Sequence, residues 1–344
     1  GELLGVVVGG GYDRCEEHNV ANPSCDDTKG NFIYILNAAT GALLRKFETD
    51  RAVAADIAMV DINNDGSPDY AYAADTGGNI YRVDFIDGPT TKIQRDKDQW
   101  TYRKVAATDP EKNRKFLFAP ALLYSQNKVY VALGSGDRER PMEDDYPFDN
   151  VVNRFYVYVD NLATPAGTGV IPLDDATVMH DYTTSSSCTT APVLPDSTRK
   201  GWFMDLNQSG KGEQTVTSAL IAGGMVTFST NRPVPALESS CSTTLGEARG
   251  YWVNLLNASG AIGVAGACGG RRSSVFVGGG LPPSPVFANS VGLGSGTENA
   301  SVVLGAVQKD SENKGGISTP IESQPMRPAI TLKRKRAYTY TKGD

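Results

Sequence analysis

Residues 30–47 read GNFIYILNAATGALLRKF, and the fold prediction begins from this stretch. Two runs rich in aromatic and aliphatic residues, 32–36 and 42–47, flank a short polar segment that ends in Gly41. Runs of this kind, separated by a few turn-forming residues, are typical of two β-strands joined by a tight connection. The stretch therefore predicts a β-hairpin.

Similar runs recur along the chain. The aromatic residues Tyr34, Tyr81 and Tyr130 stand 47 and 49 residues apart, and four-stranded propeller blades repeat at roughly 40–50 residues. Tyr130 belongs to the run 127–131. The runs after it, at residues 153–157, 224–228 and 250–254, are less regularly spaced. The pattern predicts an all-β fold, a modified β-propeller of about seven blades. Chance hairpins in a β-sandwich are the alternative.

Three stretches between these runs are rich in turn-forming or charged residues and are predicted as long loops: 137–150, 162–190 and 272–301. None of them divides the chain convincingly, so we expect residues 1–344 to form one domain. The chain opens on Gly-Glu-Leu-Leu-Gly-Val-Val-Val, which resembles a strand and lacks the basic start of a signal peptide. We interpret it as a piece of a longer protein.

Composition narrows the class of protein. Of the 344 residues 40% are hydrophobic and 21% are charged, and the net charge is −6. A mildly acidic chain does not favour nucleic-acid or anionic-membrane binding. No apolar run reaches the length of about 18 residues that a membrane span needs. These values exclude a membrane helix bundle, a coiled coil and a disordered tail.

Residues 61–69, DINNDGSPD, are the strongest chemical signal in the sequence. Alternate positions carry oxygen donors, and Gly66 permits the sharp turn that such a loop needs. Strand-like runs on both sides predict a calcium-bearing β-hairpin, whereas an EF-hand would need flanking helices and Glu at its twelfth position. The predicted Ca²⁺ ligands are the side chains of Asp61, Asn63, Asp65 and Asp69 and the carbonyl of Ser67. A metal-free turn and a Mg²⁺ site are the alternatives.

A fainter copy of this pattern occupies residues 205–213, DLNQSGKGE. Serine replaces the central acid there and Lys211 adds a positive charge, so a polar turn is the favoured interpretation. The basic run 333–336, KRKR, is interpreted as solvated or as protection of an edge strand rather than as a patch for phosphate groups.

The five cysteines contain no Cys-x-x-Cys pair, which argues against structural zinc and thioredoxin-like chemistry. Cys15 and Cys25 bracket a polar loop and are predicted to form a local disulfide, which implies an oxidising compartment. Cys241 with Cys268 is a weaker candidate pair, and Cys188 is then left over. Two unpaired thiols in a reducing compartment are the alternative for the first pair.

Catalytic candidates are scarce. His18 and His180 are the only histidines, and both are expected to be loop or edge residues. The sequence contains no Gly-x-Ser-x-Gly, His-Glu-x-x-His or P-loop motif. We therefore predict no catalytic residue, no organic cofactor and no enzymatic activity.

Taken together, these motifs resemble the C-terminal domain of the PilC/PilY family of type IV pilus biogenesis factors and tip adhesins. The resemblance is carried by residues 30–47, 61–69, 75–84, 200–206, 212–221, 228–233 and 279–286. It implies a seven-bladed calcium-binding propeller, with Asp61, Asn63, Asp65, Ser67 and Asp69 as the ligands. It further implies secretion to the bacterial cell surface, at the pilus tip or outer membrane.

The same resemblance implies a non-enzymatic role in pilus assembly, extension against retraction, twitching motility and surface adhesion. Minor pilins of the tip complex would be its partners. A host-cell or surface receptor would bind the family's N-terminal adhesive region, which is absent here. Two other functions remain open: a receptor-binding propeller similar to integrin α chains, whose hairpins carry similar calcium loops, and a quinoprotein-type dehydrogenase, whose blade repeat residues 30–47 resemble.

Overall fold

The computed structural model describes residues 4–17, 28–142, 146–164, 168–184, 198–234, 246–264, 268–276, 279–292, 299–308 and 321–325. Within these ranges 21 strands form five sheets, and the helical elements are 3-10 turns at Arg14–Glu17, Lys97–Gln99 and Pro110–Lys112. The all-β prediction is therefore confirmed.

The first three sheets contain strands β1 to β13, and in each sheet consecutive strands mostly pair as antiparallel neighbours. Sheet 1 consists of β1 (Gly5–Gly9), β2 (Phe32–Asn37) and β3 (Leu43–Glu48). Sheet 2 consists of β4 (Ala58–Val60), β5 (Tyr70–Ala74), β6 (Asn79–Asp84), β7 (Thr101–Ala107) and β11 (Ile171–Pro172). Sheet 3 consists of β8 (Ala121–Ser125), β9 (Lys128–Gly134), β10 (Arg154–Asn161), β13 (Gly201–Asp205) and β12 (His180–Asp181).

The remaining strands form two further sheets. Sheet 4 consists of β14 (Gln214–Thr215), β15 (Leu220–Ala222), β16 (Met225–Arg232), β17 (Glu247–Asn254) and β18 (Ser273–Val275). Sheet 5 consists of β19 (Val286–Gly292), β20 (Asn299–Gln308) and β21 (Ile321–Pro325). Strands β18, β19 and the first part of β20 lie in the stretch 272–301, which was wrongly predicted as a loop. Strand β18 pairs with β17, and β19 pairs with β20. Local composition does not predict these strands, because their pairing depends on residues elsewhere in the chain.

Successive sheets stack face to face, which explains why their strands are buried on both sides. On β5, Tyr70, Tyr72 and Ala74 point towards sheet 3, whereas Ala71 and Ala73 point towards sheet 1. All five residues are buried. A sheet covered on both faces excludes water from its backbone hydrogen bonds and buries apolar area on either side.

Strands near the start of neighbouring sheets adjoin one another: β4 contacts β8, β8 contacts β15, and β15 contacts β19. Sheets that stack in chain order with such strands grouped in this way are arranged as propeller blades. Aromatic rings reinforce the stacking between sheets 3 and 4, where the ring centroids of Phe155 and Phe228 lie 3.7 Å apart. Within sheet 4, Phe228 stacks in turn on Tyr251 with ring centroids 4.6 Å apart. The number seven for the blades stays a prediction.

Tyr34 lies on β2, the middle strand of sheet 1, and Tyr81 lies on β6, the third strand of sheet 2 in chain order. Tyr130 lies on β9, which is only the second strand of sheet 3. The 49-residue spacing to Tyr130 therefore does not measure a blade. The corresponding strand of sheet 3 is β10, delayed by the predicted loop 137–150, in which the described residues contain no strand. The other predicted loop, 162–190, includes two short strands, β11 and β12, which add in parallel to the edges of sheets 2 and 3.

A buried ionic contact joins sheets 2 and 3. The guanidinium of Arg82 on β6 donates to Asp160 on β10 at 2.8 Å and to Asp84 at 2.6 and 3.0 Å. The hydroxyl of Tyr72 donates to the same Asp160 oxygen at 2.8 Å. Desolvation and the neighbouring Asp160 carboxylate raise the pKa of Tyr72 well above its ordinary value, so it remains a donor at neutral pH.

Candidate functional site

The predicted metal loop connects β4 to β5. The two strands pair as an antiparallel hairpin, with Val60 opposite Tyr70, and the Asp69 N–H donates to the carbonyl of Val60 at 2.9 Å. The predicted hairpin is thus confirmed. Asp61 is the first residue of its loop and Asp69 is the last. Within the loop Asn64 and Gly66 have positive φ angles of 59° and 91°, so the chain turns sharply there.

This turn directs backbone N–H groups at the carboxylate of Asp61. The N–H groups of Asn63 and Asn64 donate to Oδ1 at 3.1 and 2.6 Å, and that of Gly66 donates to Oδ2 at 2.8 Å. Desolvation opposes ionisation, but these donors together outweigh it and hold the pKa of Asp61 below its ordinary value. Asp61 is therefore ionised at neutral pH and organises the loop.

Asn63 and Asp65 form a second, exposed layer of contacts. The Asn63 Nδ2 donates to Asp65 Oδ2 at 2.8 Å, and the Asp65 N–H donates to Asn63 Oδ1 at 3.0 Å. The Ser67 N–H donates to Asp65 Oδ1 at 2.8 Å. Each of these oxygens keeps a second lone pair, because carboxylate and amide oxygens accept from more than one direction.

Asp69 is the buried member of the set, with none of its surface exposed. Its Oδ2 accepts from the N–H of Ile62 at 2.7 Å, and its Oδ1 accepts from Nε2 of Gln94 at 3.1 Å. Burial raises the pKa of Asp69, and the negative charges of Asp61 and Asp65 raise it further. The three carboxylates therefore repel one another, and a bound cation would relieve this repulsion.

Gln94 was not predicted as part of the site. It lies 25 residues after Asp69 and reaches it through an isolated bridge between Ile86 and Gln94. No local motif marks Gln94, because its role depends on how the segment between β6 and β7 folds back. Its carboxamide donates to Asp69 and so fixes the orientation of that carboxylate.

The donor chemistry of the loop fits a hard cation. Carboxylate, amide and carbonyl oxygens, without nitrogen or sulfur, are the ligands that Ca²⁺ prefers, and Ca²⁺ tolerates an irregular shell. In the part of the chain that the structure describes, however, no three acidic, histidine or cysteine side chains converge closely enough to hold a metal ion. The five predicted ligands are thus close in the loop, but their side chains have to turn before they can share one ion.

The fainter copy at residues 205–213 forms a polar turn. Asp205 pairs with Arg154 at 2.5 Å, and Lys211 pairs with Asp149. Glu213 is buried and accepts from the hydroxyls of Thr230 and Tyr251 at 2.7 and 2.6 Å. Because the two acids are directed to different partners, this loop does not gather ligands for a second ion.

The histidines and cysteines are only partly covered by the described residues. His180 lies on β12 and stacks on Tyr182 with ring centroids 5.4 Å apart, as expected of an edge residue, whereas His18 lies outside those ranges. Cys15 and Cys268 are both disulfide-bonded. Their predicted partners Cys25 and Cys241, the leftover Cys188 and the basic run 333–336 also lie outside, so the two pairings stay predictions. No helix among the residues placed by the structure is long and apolar enough to cross a membrane.

Comparison with known proteins supports the fold. Residues 4–109, which include the whole metal loop, match the family model described as the PilY1 beta-propeller domain. The type IV pilus biogenesis factor PilY1 homolog of Xylella fastidiosa is 23% identical over 278 residues, which is 71% of this chain and 18% of that protein. The chain thus spans less than a fifth of the curated relative it matches.

Among solved structures, the C-terminal domain of Pseudomonas aeruginosa PilY1 matches with a TM-score of 0.57 and 18% identity, over 81% of this chain and 65% of that one. A europium-containing methanol dehydrogenase overlaps with a TM-score of 0.42 and 11% identity, over 86% of this chain and 47% of that one, which is too weak to carry an argument. The family model, the curated relative and the solved structure agree that this chain is similar to the PilY1 β-propeller domain, over residues 4–109 for the family model.

Proposed function

We propose that this chain is the calcium-binding propeller of a type IV pilus biogenesis factor, and that it acts without catalysis at the cell surface or pilus tip. The observation that carries the proposal is that the match to the PilY1 propeller model includes the loop 61–69. The curated relative, itself named a type IV pilus biogenesis factor, supports the association with pili. The partners would be minor pilins of the tip complex, and the role would be to support extension against retraction, twitching motility and adhesion.

In this proposal the loop residues have distinct tasks. Asp69, buried and oriented by Gln94, would contribute a fixed carboxylate next to the sheet. Asp61 and Asp65 would turn towards it and exchange part of their backbone N–H contacts for the ion, and Asn63 and Ser67 would complete the set with neutral oxygens. A bound Ca²⁺ would neutralise the repulsion among the three acids and stiffen the hairpin end.

Thermal unfolding with calcium and with chelator tests the metal site. At free calcium about 100 times the dissociation constant, binding adds about 2.7 kcal/mol to the free energy of unfolding, or roughly 5 °C in melting temperature for a chain of this size. Asp65→Ala should abolish this shift and leave the melting temperature in chelator close to wild type. Asp56→Ala removes an equally exposed charge five residues before the loop and should keep the full shift.

If the wild type shows no calcium-dependent shift, or Asp65→Ala keeps all of it, the loop is not the calcium site. The pilus association has its own test, in which the full-length protein is captured from bacteria and minor pilins are sought in the eluate. We expect Asp65→Ala in the full-length protein to be secreted but to alter twitching. Capture of a host receptor without minor pilins would favour the integrin-like alternative instead.

A further inference from the structure

A short antiparallel ribbon leaves sheet 2 beside the metal loop. It consists of residues 85–95, in the connection between β6 and β7, and is called the side ribbon below. Phe85 and Ile86 at its base are buried in the hydrophobic cores on either side of sheet 2. Three backbone contacts join its two arms: a bridge between Ile86 and Gln94, an N–H donation from Arg95 to the Phe85 carbonyl at 2.7 Å, and one from Asp87 to the Ile93 carbonyl at 3.0 Å. The ribbon thus holds the backbone of Gln94 in a defined place.

Asp69 joins the metal loop to the side ribbon. On the loop side, its N–H donates to the carbonyl of Val60 at 2.9 Å, and its Oδ2 accepts from the N–H of Ile62 at 2.7 Å. On the ribbon side, its carbonyl accepts from the N–H of Phe85 at 2.9 Å, and its Oδ1 accepts from Nε2 of Gln94 at 3.1 Å. A reorientation of the Asp69 carboxylate therefore changes contacts in both segments.

The contact with Gln94 is the one on the ribbon side that depends on how this carboxylate is oriented, because the contact with Phe85 uses the Asp69 backbone. Asp69 has none of its surface exposed, whereas Gln94 is exposed. An exposed carboxamide can donate to water instead of to a protein group, so the net stability of such a hydrogen bond is small. The contact consequently persists only while Asp69 Oδ1 is held towards Gln94.

An ion in the loop and the carboxamide of Gln94 require Asp69 to be fixed in the same place. Each oxygen of Asp69 accepts one N–H group, which leaves a second lone pair for an ion. Without an ion, the negative charges of Asp61 and Asp65 repel this carboxylate. A bound cation would relieve the repulsion and fix the carboxylate, so less conformational entropy would be lost when Gln94 bonds to it.

We propose that Gln94 is a positioning residue of the cation site, and that through it an ion in the loop stabilises the side ribbon. This inference rests on the proposed calcium loop and adds a second chain segment to it. Coupling of this kind is reciprocal: if the ion strengthens the Gln94 contact, the contact strengthens ion binding by the same factor. From the net stability of one hydrogen bond, that factor is about three- to tenfold.

Hydrogen exchange measured by mass spectrometry tests the coupling, with peptides from the loop 61–69 and from the side ribbon followed separately. In the wild type, calcium in place of chelator should slow exchange in both peptides. Gln94→Met keeps the length of the side chain but lacks the donor. In this variant calcium should still slow exchange in the loop but no longer in the ribbon. Its calcium dissociation constant, from isothermal titration calorimetry, should rise about three- to tenfold.

Gln99→Met is the matched control, because Gln99 is an exposed glutamine of the same connection, in the 3-10 turn Lys97–Gln99. It should keep the wild-type response in both peptides and the wild-type calcium affinity. A purely structural role of Gln94 predicts a different result for Gln94→Met. Exchange in the ribbon would then be faster by the same factor with calcium and with chelator, and the calcium affinity would not change. That result would overturn the proposal.

Failure of this inference and failure of the calcium site give different results. If calcium does not change exchange in the loop of the wild type, the loop is not the calcium site, and the role of Gln94 is excluded with it. If calcium slows exchange in the wild-type loop but not in the ribbon, the site stands and Gln94 does not position it. Faster exchange in the ribbon with calcium would show that the ion displaces Gln94 from Asp69, which also contradicts the proposal.

Discussion

The contact between Arg82 and Asp160 gives the sharpest test of how neighbouring blades are held together. Only 2% of Arg82 and 3% of Asp160 are exposed, and the two side chains meet at 2.8 Å. Asp160→Ala leaves the guanidinium without one of its two carboxylates and leaves the buried hydroxyl of Tyr72 without its acceptor. Removal of one member of a buried ion pair destabilises a protein by about 3–5 kcal/mol.

The remaining pair with Asp84, held by two hydrogen bonds, offsets part of this loss, so we expect about 3–4 kcal/mol. At roughly 2 °C per kcal/mol for a large domain, the melting temperature should fall by about 6–8 °C. The matched control is Asp98→Ala, which removes an acid from an exposed ion pair. The side chain of Asp98 is 73% exposed and that of its partner Lys97 is 44% exposed. Water screens an exposed pair of this kind, so the control should change little.

Differential scanning calorimetry on both variants provides the measurement. A double variant, Asp160→Leu with Arg82→Met, should lose less than the sum of the two single changes, because it removes the unpaired buried charge together with its partner. If Asp160→Ala melts within about 1 °C of Asp98→Ala, the contact does not hold the sheets together and the reasoning fails.

Three further predictions concern Glu16, the disulfide and the turns. Burial opposes ionisation of Glu16, but Lys115 and the other donors outweigh it and hold the pKa below the ordinary value of 4.5, so its ionised form stabilises the fold. The excess stability of wild type over Glu16→Gln should therefore be present at about pH 7 and shrink as the pH falls below about 4.5, as melting curves at several pH values would show. Mass spectrometry of a non-reduced digest of secreted protein should find Cys15 bonded to Cys25, a link that contributes about 2–3 kcal/mol, and two alkylated thiols there would contradict it. Gly78→Ala should destabilise by about 2–4 kcal/mol, because its Cβ would lie 2.1 Å from a threonine hydroxyl, whereas Gly41→Ala, with a similar φ and open space, should cost only about 1 kcal/mol in chemical unfolding.

The sequence was informative wherever the determining residues are contiguous. The hairpin of β2 and β3 follows from residues 30–47, and the turn between β4 and β5 follows from the Asp- and Asn-rich residues around Gly66. In both, hydrogen bonds run between residues a few positions apart, as in the N–H groups of Asn64 and Gly66 that donate to Asp61. Local composition predicts such structure because the chain has few other ways to satisfy these groups.

The tertiary structure alone decided which distant residues meet. Arg82 reaches Asp160 across 78 positions and Lys115 reaches Glu16 across 99, while β11 and β12 pair in parallel within a stretch whose composition predicts a loop. These contacts exist because the sheets stack in one particular order and place the ends of their strands side by side. Since no short window of sequence contains both partners of such a contact, no local pattern of charge or polarity predicts it.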